Sequence, residues 1–157
     1  MGGGADTPDE ASRRFIDDYL SYLLARASHL VSRQFHAQLK PRGMAVPVWR
    51  VLSTLSDGDG LPVTELAKVT LFKQPTLTKV IDRMSKQGLV ERRASERDRR
   101  KVLVFITAKG RSQVADLLTR AKQHEREVLT GLSDADVNAL KAALHNLIQR
   151  CGVGRGR

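Results

Sequence analysis

Between Val63 and Ile106 two short helical segments are followed directly by a β-hairpin. The helical segments, about Val63–Thr70 and Lys73–Gln87, are split at Leu71-Phe72. Gly88 stands where a helix end favours left-handed backbone. Two β-rich runs follow, Leu89-Val90-Glu91-Arg92-Arg93 and Val102-Leu103-Val104-Phe105-Ile106, around a polar tip; such a pattern reads as a hairpin. The order is that of a helix-turn-helix with a two-stranded wing. Leu77, Val80, Ile81 and Met84 supply the apolar face that seats the second helix on its own domain.

The flanks are helical. Residues 1–10 hold three consecutive glycines and Pro8 without apolar periodicity, and are expected to be a flexible tail. From Ala11 to about Lys40 one apolar stripe reads Phe15, Tyr19, Tyr22, Leu23, Leu30, and a second reads Ile16, Leu20, Leu24, Ala27, Val31, Phe35. A helix apolar on two sides needs two covers, and in a short chain the second cover is expected to be another subunit. Pro41 and Gly43 end that helix, and Pro47 opens the next, Val48 to about Leu55. The run Ser56-Asp57-Gly58-Asp59-Gly60 is a turn signal. Thr107 and Ser133 are positioned to cap helices over about Ala108–Thr130 and Asp134–Arg150. The expected fold is mainly α with a small β-hairpin wing: a winged helix-turn-helix over 44–107, a helical dimerisation domain from 11–40 and 108–150, and a basic tail over 151–157.

Charge narrows the partner. The 157-residue chain carries a formal net charge of +10. The stretch Lys73 to Lys101 holds ten basic residues against four acids, so most of the excess is focused there. A focused cationic patch is what phosphate contact requires. No apolar run is long enough for a membrane span, and the first residues lack the pattern of a secretion signal, so a cytoplasmic location is expected. One cysteine forbids an internal disulfide framework. His29, His36, His124 and His145 lack metal-ligand spacing. No phosphate loop, activated serine or carboxylate pair is present, so neither enzymatic activity nor a cofactor is expected.

In a helix-turn-helix the second helix enters the major groove and its N-terminal residues meet base edges. Here that helix begins Lys73-Gln74-Pro75-Thr76-Leu77-Thr78-Lys79. Gln pairs bidentately with adenine, Thr meets a thymine methyl, and Lys reaches guanine or phosphate. The tip Ser95-Glu96-Arg97-Asp98-Arg99-Arg100-Lys101 crowds four cations onto a few residues. Arginine exploits the negative potential of a narrow minor groove, and Asp98 is placed to steer Arg100. A merely solvated turn is the bland alternative.

The run from Val63 to Gly110 resembles the winged helix of the MarR family of bacterial transcriptional regulators. The matching residues are Thr64-Glu65-Leu66-Ala67, Gln74 through Met84, Gly88-Leu89-Val90-Glu91-Arg92, and Asp98-Arg99-Arg100 leading to Ile106-Thr107-Ala108-Lys109-Gly110. The family's Asp-x-Arg and Thr-x-x-Gly pattern is met by Asp98, Arg100, Thr107 and Gly110. Pro62 stands where the family usually has a Ser or Thr cap. The resemblance covers about residues 11–150. It implies a homodimeric repressor that leaves a pseudo-palindromic operator when a small ligand, often an aromatic acid or its thioester, binds between the domains. It also implies that Arg100 lies in the minor groove, held by Asp98 or Asp82. Lys73, Gln74, Thr76, Thr78, Lys79 and Arg83 would contact the major groove or flanking phosphates, with Arg97 and Arg99 beside Arg100 on the wing.

For the ligand, the resemblance places Tyr22, Arg26, His29 and His36 with Trp49 and Arg50 around one cavity. Arg26 and His29 would meet a carboxylate while Tyr22 and Trp49 stack on a ring. An ordinary core with a satisfied histidine accounts for the same residues equally well. The rival function is a ligand-independent architectural DNA-binding protein held mainly by charge, whose affinity would fall alike on all sequences with salt. Cys151 is read as an inert thiol.

Overall fold

The structure, a computed structural model, describes residues 14–152. The chain forms two compact units, residues 1–115 and 116–157. In order the elements are α1 (Phe15–Asp18), α2 (Leu20–His36), a 3-10 turn (Lys40–Arg42), α3 (Val46–Asp57), β1 (Leu61–Pro62), α4 (Val63–Thr70), α5 (Gln74–Lys86), β2 (Val90–Ala94), β3 (Val102–Ile106), α6 (Ala108–Val128) and α7 (Asp134–Gly152). The molecule is mainly helical with a small antiparallel sheet, as the sequence predicts. The expected tail over 1–10 and residues 153–157 of the basic tail lie outside the described residues, while Cys151 and Gly152 complete α7.

Local rules account for the helix ends. At the end of α5 the Leu89 N–H donates to the Met84 carbonyl (2.9 Å) and the Gly88 N–H to Ser85 (3.0 Å), with Gly88 at φ +70°. This is the paired arrangement that left-handed glycine makes possible. The Gly110 N–H donates to Thr107 Oγ1 at 3.1 Å and the Asp136 N–H to Ser133 Oγ at 3.2 Å, so both expected caps form. Pro62 precedes α4 with no side-chain cap, as its chemistry dictates.

The N-terminal helix departs from expectation. It is broken at Tyr19, whose backbone is extended, and the Phe15 and Tyr19 rings stack with centroids 4.8 Å apart. α2 stops at His36, short of Pro41, because a proline ring collides with the carbonyl four residues back. The chain continues as the 3-10 turn and closes on Gly43 at φ +65°. Apolar side chains of both stripes stay exposed in the single chain, among them Phe15, Tyr19, Leu20, Leu23, Leu30 and Val31.

The core of the first unit is drawn from Val51, Leu52 and Leu55 of α3, Leu66 of α4, and Leu77, Ile81 and Met84 of α5, all fully buried. The apolar face expected of α5 is thus the face that seats it. The sheet has three strands in the order β1-β3-β2, one more than the hairpin. β2 and β3 pair Val90 with Ile106 and Ala94 with Val102, and β1 adds Leu61 opposite Val104. A two-residue strand ending in proline carries no period of its own, so it exists only because β3 offers it an edge.

Candidate nucleic-acid interface

α5 presents Lys73, Gln74, Pro75, Thr76 and Lys79 to solvent while its other face is buried. Pro75 in the first turn presets the helical φ, and Lys73 precedes the helix with extended backbone and no side-chain cap. The first-turn N–H groups therefore have no side-chain acceptor. Thr78 donates its hydroxyl to the Gln74 carbonyl at 2.9 Å, which occupies its donor and leaves its methyl as the contacting group. Arg83 stands near the opposite end of α5. It lines a separate cleft of about 530 Å³ with Gln87, Lys109 and Gln113, away from the residues that open the helix.

The wing tip is organised around Asp98. Its Oδ1 accepts the Arg100 backbone N–H at 3.1 Å and meets Arg100 Nε at 3.4 Å. Ser95 Oγ accepts the Asp98 N–H, and the Ser95 N–H donates to the Lys101 carbonyl. The carboxylate thus shapes the turn more than it holds the guanidinium. Asp82 does not reach Arg100: it pairs with Arg92 of β2 at 2.6 Å and so ties α5 to the wing's first strand. Among the described residues Lys73, Lys79, Arg83, Arg97 and Arg99 have no acidic partner, whereas Arg93 is paired with Glu91 and lies over the Phe105 ring.

Two supports of the wing escape a reading of local pattern. Asp59 accepts the Ile106 N–H (2.9 Å) and the Gly60 N–H (3.0 Å) through Oδ1 and pairs with Arg111 (2.8 Å) through Oδ2. In sequence it is one more turn residue. Gly110 is the second: a Cβ there would lie 2.3 Å from the Leu89 carbonyl oxygen. The Thr-x-x-Gly pattern follows from that crossing.

The residues expected around a ligand separate. His29, His36 and Arg50 line one cavity of about 430 Å³ between α2 and α3, together with Ala25, Ser28, Ser32 and Arg33. Tyr22, Arg26 and Trp49 are not among its lining residues. Trp49 turns to Phe35, ring centroids 4.9 Å apart, and Tyr22 and Arg26 lie farther toward the start of α2. Arg33, missed in the sequence, lies one turn beyond His29 on the same helix. Arg50 Nη1 donates to the Thr70 carbonyl at 3.2 Å, and the guanidinium lies 5.4 Å above the Phe72 ring. Burial first, and the neighbouring Arg50 charge second, hold His36 below the usual histidine pKa. No group among the described residues is arranged to hold a metal ion.

A helix-turn-helix with a cationic wing and uncompensated cations on its reading helix defines a nucleic-acid-binding module. The family model of the MarR family matches residues 42–101. The transcriptional repressor IacR of Pseudomonas putida is 31% identical over 144 residues, covering 88% of this chain and 86% of the relative. A MarR-family transcriptional regulator from Silicibacter pomeroyi DSS-3 has 38% identity and a TM-score of 0.77, with 88% of this chain and 99% of that one covered. The repressor CouR bound to a 23-mer DNA duplex aligns at 27% identity and TM-score 0.70, covering 84% of this chain and 94% of its own. The chain belongs to the MarR family of transcriptional regulators, and its relatives include repressors. No helix among the described residues is long and apolar enough to cross a membrane.

Proposed function

We propose that the chain works as a homodimer that binds a pseudo-palindromic operator in the cytoplasm and represses transcription until a small aromatic acid or its thioester binds. The observation that carries the DNA reading is the division of α5. Leu77, Val80, Ile81 and Met84 are buried, while Lys73, Gln74, Thr76 and Lys79 stay exposed, as do Arg97, Arg99 and Arg100 of the wing tip. Gln74, Thr76 and Thr78 are the base readers, and Lys73 and Lys79 the phosphate contacts. Arg83, at the far end of α5, serves a flanking phosphate. Arg100 enters the minor groove with Arg97 and Arg99 on the adjoining backbone, and Asp98 and Asp82 keep the wing in register.

The exposed apolar residues of α1 and α2 in the first unit, and separately Leu140 and Ile148 of α7 in the second, are surfaces that a second chain covers. Residues 11–40 and 108–150 then build the dimerisation domain. Two half-sites about one helical turn apart follow from such a dimer. The effector enters the α2–α3 cavity, where its carboxylate meets Arg50 beside His36. Release works by linkage: the ligand binds the spacing of reading heads that misses the next groove.

Footprinting the DNA upstream of this protein's own gene, with and without a panel of aromatic acids, tests the whole reading. A symmetric protected site that survives moderate salt and disappears with one acid is the expected result. Affinity that falls equally on operator and random DNA as salt rises marks a charge-driven architectural protein instead. A monomer by sedimentation at micromolar concentration removes the dimer.

A further inference from the structure

The α2–α3 cavity carries more positive charge than one carboxylate can answer. His29, Arg33 and His36 follow at spacings of four and three residues, so they project from one face of α2. Arg50 comes from α3, and Ala25, Ser28 and Ser32 complete the wall. No Asp, Glu, Phe, Tyr or Trp is among the lining residues.

The two arginines are free to act. Arg50 is fixed by the Thr70 carbonyl and the Phe72 ring, neither of which removes its charge. Arg33 has no acidic partner among the described residues. Arg26, farther along α2, differs, because its charge is felt by Asp17. His36, its pKa lowered by burial and by Arg50, adds a hydrogen-bonding ring and no permanent charge. The permanent charge is therefore two guanidiniums, one from each helix. A carboxylate saturates one guanidinium in the bidentate geometry and leaves the second unanswered. A volume of about 430 Å³ accommodates a small organic molecule with a second anionic group.

We propose that this cavity takes a small dicarboxylate, one carboxylate on Arg50 beside His36 and the other on Arg33. The inference rests on the effector reading above and narrows it to acids with two separated anionic groups. Arg50 is the anchor that any carboxylate uses. Arg33 is the discriminating residue, used only by the second.

Calorimetric titration of the full-length protein without DNA tests it, with benzoate, phenyl phosphate, phthalate, isophthalate and terephthalate as probes. At least one dicarboxylate isomer is expected to bind roughly tenfold or more tighter than benzoate, the scale of one added charge-assisted hydrogen bond. Arg33→Gln should abolish that advantage while lowering benzoate affinity far less than dicarboxylate affinity, whereas Arg50→Gln weakens both. Thermal melts check that each variant is folded, and Arg33 is exposed enough to be replaced without repacking. The proposal is overturned if benzoate or phenyl phosphate matches the best dicarboxylate. It is equally overturned if Arg33→Gln lowers benzoate and dicarboxylate alike, or if none of the probes binds. Release of DNA is read separately on the protein–operator complex. A dicarboxylate that binds through Arg33 but leaves DNA in place refutes the effector role and upholds the charge assignment. A monocarboxylate that releases DNA with no dicarboxylate preference does the reverse.

Discussion

Replacing Arg100 with Ala separates stability from recognition. The Arg100 side chain is 94% exposed, and its ion-pair contact is Nε at 3.4 Å from Asp98. An exposed pair of this kind contributes about 0–1 kcal/mol, and the long separation places it at the low end. Arg100→Ala should therefore shift the folding free energy by less than about 0.5 kcal/mol. If the same side chain probes the minor groove as proposed, losing it should cost about 1–3 kcal/mol on DNA. At about 1.4 kcal/mol per decade that is roughly a 5- to 150-fold rise in Kd. The fork geometry adds a second signature, because lysine cannot reproduce it. Arg100→Lys should recover affinity for random duplex while the preference at positions flanking the major-groove contacts stays lost. Fluorescence anisotropy on the footprinted fragment and on a scrambled duplex, over a salt series, measures both. A folded Arg100→Ala protein with unchanged Kd and unchanged preference would remove the wing from the recognition mechanism.

Gln74→Ala should change which base is preferred at one position of each half-site, while Lys79→Ala weakens operator and random DNA alike, by selection from randomised duplexes; equal effects of the two would contradict the division between base and phosphate contact. Gly110→Ala drives a Cβ against the Leu89 carbonyl, which already accepts the Thr107 N–H at 3.1 Å and cannot retreat. A loss of about 3 kcal/mol, at the upper end for overpacking, should appear as a lower urea midpoint, and an unchanged midpoint would show that α6 shifts freely. His36 has its folded pKa lowered, so the unfolded chain binds more protons as the pH falls. Its contribution is whole above the unfolded value near 6.5 and is lost as the pH drops from there towards the folded pKa; His36→Gln should flatten the pH dependence of Tm below about 6.5.

The parts of this protein that were legible from sequence obey rules reaching only a few residues. The buried face of α5 follows from Leu77, Val80, Ile81 and Met84 at helical spacing, and its end follows from Gly88 at positive φ. The hairpin follows from two β-rich runs, and its cations follow from composition alone. What was hidden needs partners distant in the chain. β1 is a strand because β3 lies beside it, and Tyr19 is a break with no proline or glycine to announce it. The resemblance left Asp98 or Asp82 to hold Arg100; Asp98 meets it and Asp82 meets Arg92, a choice set by which strand passes α5.

The cavity shows the same boundary most clearly. The family resemblance put Tyr22, Arg26, His29 and His36 with Trp49 and Arg50 around one cavity and left Arg33 out. Only the approach of α3, carrying Arg50 to His36 and turning Trp49 onto Phe35, decided which of them share a wall. The amino-acid order by itself therefore determined the reading helix, the wing and their charge, because helix period, capping and turn chemistry are local. Tertiary structure decided the third strand, the wing's anchors and the lining of the cavity, because each depends on long-range packing that no local pattern encodes.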